Sequence, residues 1–107
     1  MINKIIKDLL KDICPDIHYQ KASNKTDKYI IFSIYDEEDT MIYDDNNLSE
    51  TYYITVNYWY KNPSDIVIYK KIKEKLKSNG FTFDGAADLV DGEYYGKNMD
   101  FIYEELI

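Results

Sequence analysis

The chain has 107 residues, with 13 Lys and no Arg against 20 Asp and Glu, and a formal net charge of -7. That length suits one domain around one core. The charge argues against gripping nucleic acid by phosphate neutralisation, which needs clustered cations. A single cysteine, Cys14, excludes an internal disulfide framework and a cysteine-cluster metal site.

The hydrophobic share of 45% is too high for a disordered chain. The 12 tyrosines accompany frequent Ile, Asn and Asp, all residues of A/T-rich codons, so tyrosine abundance alone is weak evidence for an interface. Met1–Ile13 carries Lys and Asp throughout and lacks the apolar segment of a signal peptide. No stretch approaches the ~18 consecutive apolar residues of a membrane span. A cytoplasmic product with a reduced thiol is expected.

In chain order, Ile2, Ile5, Ile6, Leu9, Leu10 and Ile13 fall at the spacing of an amphipathic helix that Pro15 ends. After a short stretch at Ile17–Tyr19 and a polar loop at 21–28, the segment Tyr29–Tyr35 reads as a strand. Its Ile30, Phe32 and Ile34 lie on one face, with Tyr29, Ile31, Ser33 and Tyr35 on the other. The acidic segment Asp36–Asn47 reads as a long hairpin connection, with room for a short strand near Met41–Tyr43. A second long strand is expected at Glu50–Tyr60, with Tyr52, Ile54, Val56, Tyr58 and Tyr60 in an apolar row.

Asn62-Pro63-Ser64-Asp65 is a helix start, and the helix is expected from about Asp65 to Ser78. Its inner stripe is Ile66, Tyr69, Ile72 and Leu76. Its lysines crowd the C-terminal half, where they suit the helix dipole. Asn79-Gly80 closes it. Phe81–Asp84 reads as a strand leading after Gly85 into a variable loop, and Lys97–Glu104 as the last strand. The expected fold is a single α+β domain over 1–107, a mostly antiparallel sheet of four to five strands with two helices, in the order α-β-β-β-α-β-β.

Catalytic chemistry finds little support. His18 and Cys14 are the only candidates for a thiol–imidazole pair, and a helix end and a proline separate them. The carboxylates Asp36, Glu37, Glu38, Asp39, Asp44 and Asp45 could hold a hard cation. They lack the alternating spacing and the glycine of a calcium loop, which favours a solvated acidic hairpin. Asp88, Asp91 and Glu93 around Gly92 read as a polar turn. No glycine pattern makes a phosphate loop, and the lysines of the second helix read as a solvated face. No enzyme, metal or cofactor is expected.

Interaction is the remaining signal. Tyr29, Tyr35, Tyr53 and Trp59 lie opposite the expected core rows. If the helices cover one sheet face, these form an exposed aromatic patch of a kind monomers seldom carry. If the second helix covers that face, they are core.

The order of elements, with "YIIFSIY", the acidic hairpin, "TYYITVNYWYKN", "PSDIVIYKKIKEKLKSNGF" and "GEYYGKNMDFIYEE", resembles the small tail-terminator (tail completion) proteins of tailed bacteriophages. The resemblance implies a structural virion protein, made in the host cytoplasm and placed in the tail neck. It would form a ring, usually hexameric, on the head-proximal end of the tail tube, ending tube growth and meeting the head-tail connector. Its partners would be further copies of itself, the tube protein and the connector protein, with no membrane. Tyr53, Thr55, Trp59 and Tyr35 are the candidate oligomer interface. Asp36, Glu37, Glu38, Asp39, Asp44 and Asp45 are a candidate lumen lining that DNA passes without specific binding. Small head-completion proteins share the size class. The alternative is a monomeric acidic inhibitor or immunity-type protein that binds a basic partner.

Overall fold

The structure, a computed structural model, describes residues 2–22, 26–41 and 48–106. Its elements are α1 (Ile2–Leu10), β1 (Ile17–Tyr19), β2 (Lys28–Met41), β3 (Leu48–Tyr60), α2 (Val67–Lys77), β4 (Thr82–Asp91) and β5 (Tyr94–Leu106). A single 3-10 turn, Pro63–Ile66, introduces α2. The expected α+β order is present. The five strands form one sheet in the order β1-β2-β3-β5-β4, antiparallel except for the β1–β2 pair.

One apolar core explains the arrangement. Ile2, Ile6 and Leu10 of α1 and Ile72 and Leu76 of α2 join Ile30, Phe32, Ile54, Val56, Tyr58, Tyr60, Met99 and Phe101 of the sheet. Because strand side chains alternate, these sheet residues all belong to one face, and both helices lie on it. The helix stripe differs from expectation at Ile66, which is 42% exposed because the chain is still in the 3-10 turn there. Asn62 caps that turn by accepting from the Ser64 N–H at 3.1 Å. At the other end, Phe81 N–H donates to Leu76 carbonyl at 3.1 Å and Gly80 takes φ +91°. The expected glycine closure is therefore observed.

β2, β4 and β5 run longer than their local patterns suggest, and β3 begins at Leu48, two residues before the expected Glu50. The segment expected to leave β2 as a hairpin connection at Asp36 stays in the strand to Met41, paired with Leu48–Tyr53. A bulge between Ile34 and Asp36 inserts Tyr35 as an extra residue and reverses the side-chain alternation beyond it. The expected short strand near Met41–Tyr43 is thus the end of β2 at Met41, and residues 42–43 lie outside the described residues, as do Asp44 and Asp45. β4 likewise continues past Gly85 to Asp91 where a loop was expected. A bulge between Phe83 and Ala86 absorbs Gly85 at φ +116°. β5 begins at Tyr94, three residues before the expected start.

Length then sets shape. β2, β3 and β5 have 13 or 14 residues each, and the long axis of the molecule is 52 Å. β1 pairs only as far as Phe32, and β4 only as far as Ile102. Beyond those rows, among the described residues, β2, β3 and β5 continue as a three-stranded arm. Among the described residues, no helix is long and apolar enough to cross a membrane.

Candidate functional site: the open sheet face and its acidic arm

The face away from the helices is built by cross-strand register. One row is Tyr29, Trp59, Gly96 and Leu89; the next is Ile31, Asn57, Asn98 and Ala87; then Ser33, Thr55 and Asp100; then Asp36, Tyr53, Ile102 and Thr82. Among the described residues no helix covers these rows. The choice left open by the sequence is settled toward a one-sided sheet, but the patch is less uniformly exposed than expected.

Tyr29 is a correction. It lies on the open face, yet it is 2% exposed. Tyr94 packs edge-on against it, with centroids 5.3 Å apart, and is itself tied down by its hydroxyl donating to Thr26 carbonyl at 2.8 Å. Trp59 is half-buried because its ring lies on the backbone of Gly96. A Cβ at Gly96 would stand 2.6 and 2.7 Å from two atoms of that ring and 3.1 Å from Leu89 Cβ. A glycine inside a strand marks a close approach of this kind, but the strand expected from sequence begins only at Lys97 and leaves Gly96 outside it, whereas β5 starts at Tyr94. Thr55 is not a free hydroxyl: Asn98 Nδ2 donates to Thr55 Oγ1 and to Asn57 Oδ1, both at 2.7 Å. This amide ladder satisfies the polar centre of the face internally.

Tyr35 and Tyr53 are the accessible aromatic pair. Their centroids are 6.1 Å apart, and Tyr35 is 54% exposed because the bulge leaves it unpaired on this face. Desolvation, with Asp100, Asp84 and Asp36 nearby, pushes the Tyr35 hydroxyl above its ordinary pKa. The Glu38 charge does the same to Tyr53, whose hydroxyl reaches Glu38 Oε2 at 3.4 Å, with Asp36 and Asp84 adding to it. Four carboxylates on three strands therefore surround two phenol rings. Sequence reading found Tyr35, Tyr53, Asp36 and Glu38. It missed Asp84 and Asp100, since only the sheet order brings β4 and β5 beside the bulge.

The arm carries charge on both faces. Glu38, Thr51 and Glu104 form a row on the open side, and Asp39, Glu50 and Glu105 form one on the helix side, next to Glu37, Tyr52 and Tyr103. Like charges directly across strands destabilise a sheet, and Tyr52 relieves one of them by donating its hydroxyl to Glu50. That hydrogen bond, followed by desolvation, holds the Tyr52 phenol well above its ordinary pKa. Among the described residues none of these carboxylates has an ion-pair partner, and no group of three or more His, Cys, Asp or Glu is arranged to hold a metal ion.

The thiol and imidazole go separate ways. Cys14 is 1% exposed, and burial pushes its thiol up to about 11. His18 instead meets Asp16, Nε2 to Oδ1 at 2.5 Å. Partial burial opposes ionisation of Asp16, but hydrogen bonds from Thr26 and His18 outweigh it and hold the carboxyl below its usual range. A buried neutral thiol lacks the thiolate that nucleophilic chemistry requires.

No protein-family model matches the chain, and no curated protein matches it.

Proposed function

We propose that this protein is a structural assembly component, a ring-forming cap of the tail-terminator kind. It would sit on the head-proximal end of a phage or phage-like tail tube, stop its growth and meet the head connector. The observation that carries the reading is the one-sided sheet. Both helices pack on one face, and the other presents Tyr35, Tyr53, Ile31 and Trp59 with no described element over them. Aromatic side chains on an uncovered sheet are the anchors that interfaces use.

A ring needs two different surfaces on each protomer, because head-to-tail contacts are heterologous. In this reading the open face is one of them. The helix-side carboxylates of the arm, Glu37, Asp39, Glu50 and Glu105, then line the passage, where like charge keeps DNA phosphates from sticking. Mixing the purified chain with tail tubes that lack their cap tests this by electron microscopy. Discrete rings at one tube end and a fixed tube length support it; a stable monomer that leaves tube growth unchanged refutes it.

The carboxylate rim around Tyr35 and Tyr53 favours a second reading, a monomeric acidic inhibitor of a basic protein such as a nuclease. Its association rate would fall steeply with salt. It predicts a monomer that binds one partner at equal stoichiometry.

A further inference from the structure

The tyrosine pair, Tyr35 exposed and Tyr53 half-buried beside it, forms with its carboxylates a surface suited to ammonium groups. A cation within about 6 Å of a phenol ring is attracted by the ring face. Asp36 and Asp84 add negative charge at both rings, Asp100 at Tyr35, and Glu38 at Tyr53, whose hydroxyl it meets at 3.4 Å. The chain's own lysines already use aromatic faces: Lys73 Nζ lies 4.0 Å from the Phe83 centroid and Lys97 Nζ 4.8 Å from that of Tyr69. Those contacts are on the helix side. No lysine is recorded on Tyr35 or Tyr53 among the described residues.

The complementary surface is on the same chain, across the sheet. The outward side of α2 carries Lys70, Lys71 and Lys77 around a single carboxylate, Glu74, all exposed. None of the three lysines has an ion-pair partner among the described residues, which leaves this side net positive. α1 differs, because Asp8 pairs with Lys4 at 2.9 Å and faces Lys11 at 3.9 Å. The start of α2 and the turn before it also expose apolar surface, Val67 at 62% and Ile66 at 42%. Lys70 and Lys77 are seven residues apart, about 10 Å along a helix. Asp36 and Asp100 are two strand spacings apart and one row offset along the sheet, about 12 Å, a span of the same order. The sheet stands between the two surfaces, so α2 cannot reach the open face of its own chain.

We infer that the open face around Tyr35 and Tyr53 binds the lysine-bearing side of α2 on a second copy of this chain, giving a head-to-tail contact. The inference rests on the assembly reading above and names the second surface which that reading requires. The contact is heterologous, so successive copies close into a ring or continue as a filament. Opposite charge on the two surfaces also disfavours head-to-head pairing, which would set carboxylates against carboxylates.

Two charge-reversed full-length variants test it. One carries Asp36→Lys, Glu38→Lys and Asp84→Lys; the other carries Lys70→Glu, Lys71→Glu and Lys77→Glu. Circular dichroism verifies that each is folded, and analytical ultracentrifugation reads association at about 0.05 M and about 0.5 M salt. The wild type is expected to associate and to weaken at high salt. Each variant alone is expected to lose association by at least about a hundredfold. An equal mixture of the two is expected to regain it as alternating copies, since unaltered rim then meets unaltered helix and reversed rim meets reversed helix.

Variants that associate like the wild type would overturn this contact and leave the assembly reading standing. Variants that stay apart when mixed would overturn it too, because the surfaces then do not meet each other. A wild type that stays monomeric, alone and with tail tubes, would overturn both. A monomer that binds a lysine-rich helical peptide through Asp36 and Glu38 would make the occupant a foreign basic protein and overturn the self-contact.

Discussion

Replacing Gly96 by alanine adds one methyl group where the structure has no room for it. The new Cβ would lie 2.6 and 2.7 Å from the Trp59 ring and 3.1 Å from Leu89 Cβ. Ordinary contacts begin near 3.5 Å, so the ring must move by nearly 1 Å or the two strands must part. Overpacking of this kind costs about 1–3 kcal/mol. The stiffer unfolded chain offsets about 0.4–1 kcal/mol, since Gly96 has no left-handed backbone that alanine would resist. The net loss is about 1–2 kcal/mol, which for a domain of this size lowers the melting temperature by about 5–15 °C. Trp59 is the only tryptophan, so its fluorescence reports the displacement directly and should shift to the red. Removing the obstacle should restore what the methyl costs: adding Trp59→Leu to Gly96→Ala should give a coupling of about 1 kcal/mol. A Gly96→Ala protein as stable as the wild type, with unchanged emission, would refute the packing on which the open face is built.

Other outcomes follow from the core and the caps. Leu76→Ala, at a fully buried position, should lose about 2–5 kcal/mol in urea denaturation, whereas Val67→Ala, 62% exposed on the same helix, should stay within about 0.5 kcal/mol. Asn62→Ala removes the acceptor for the Ser64 N–H and should cost about 1 kcal/mol by the same assay. The Cys14 thiol ionises near 11 when folded and near 9.0 when exposed. The unfolded chain therefore loses its proton first, and stability falls as pH rises from about 9 to about 11. The Cys14 share of that fall, about 2–3 kcal/mol, should be absent from Cys14→Ala. Parallel pH curves for the two proteins would contradict it.

Most of the scaffold was legible because its signals are local. The α1 spacing, the even row Tyr52 to Tyr60 and the Asn62 and Gly80 boundaries each follow from periodicity or backbone preference, and each recurs in the fold. What was missed depends on distant partners. Asp36–Asp39 has the composition of a loop, yet β3 holds it in the sheet because thirteen residues there offer a full set of backbone partners. Gly85 reads as a strand end, but a bulge tolerates it. Tyr29 alternates like an exposed residue and is buried only because Tyr94, far along the chain, folds over it. The same non-locality explains the site. Tyr35, Tyr53 and Glu38 could be named from their strands, while Asp84 and Asp100 join them only once β5 lies between β3 and β4.

The proposed assembly is tested most directly by the mass of the wild-type particle in solution across a concentration series at low salt. A discrete closed oligomer several times the protomer mass, dissociating as salt rises, is the predicted result. A single protomer mass up to high micromolar concentration, unchanged when capless tail tubes are added, would contradict the account.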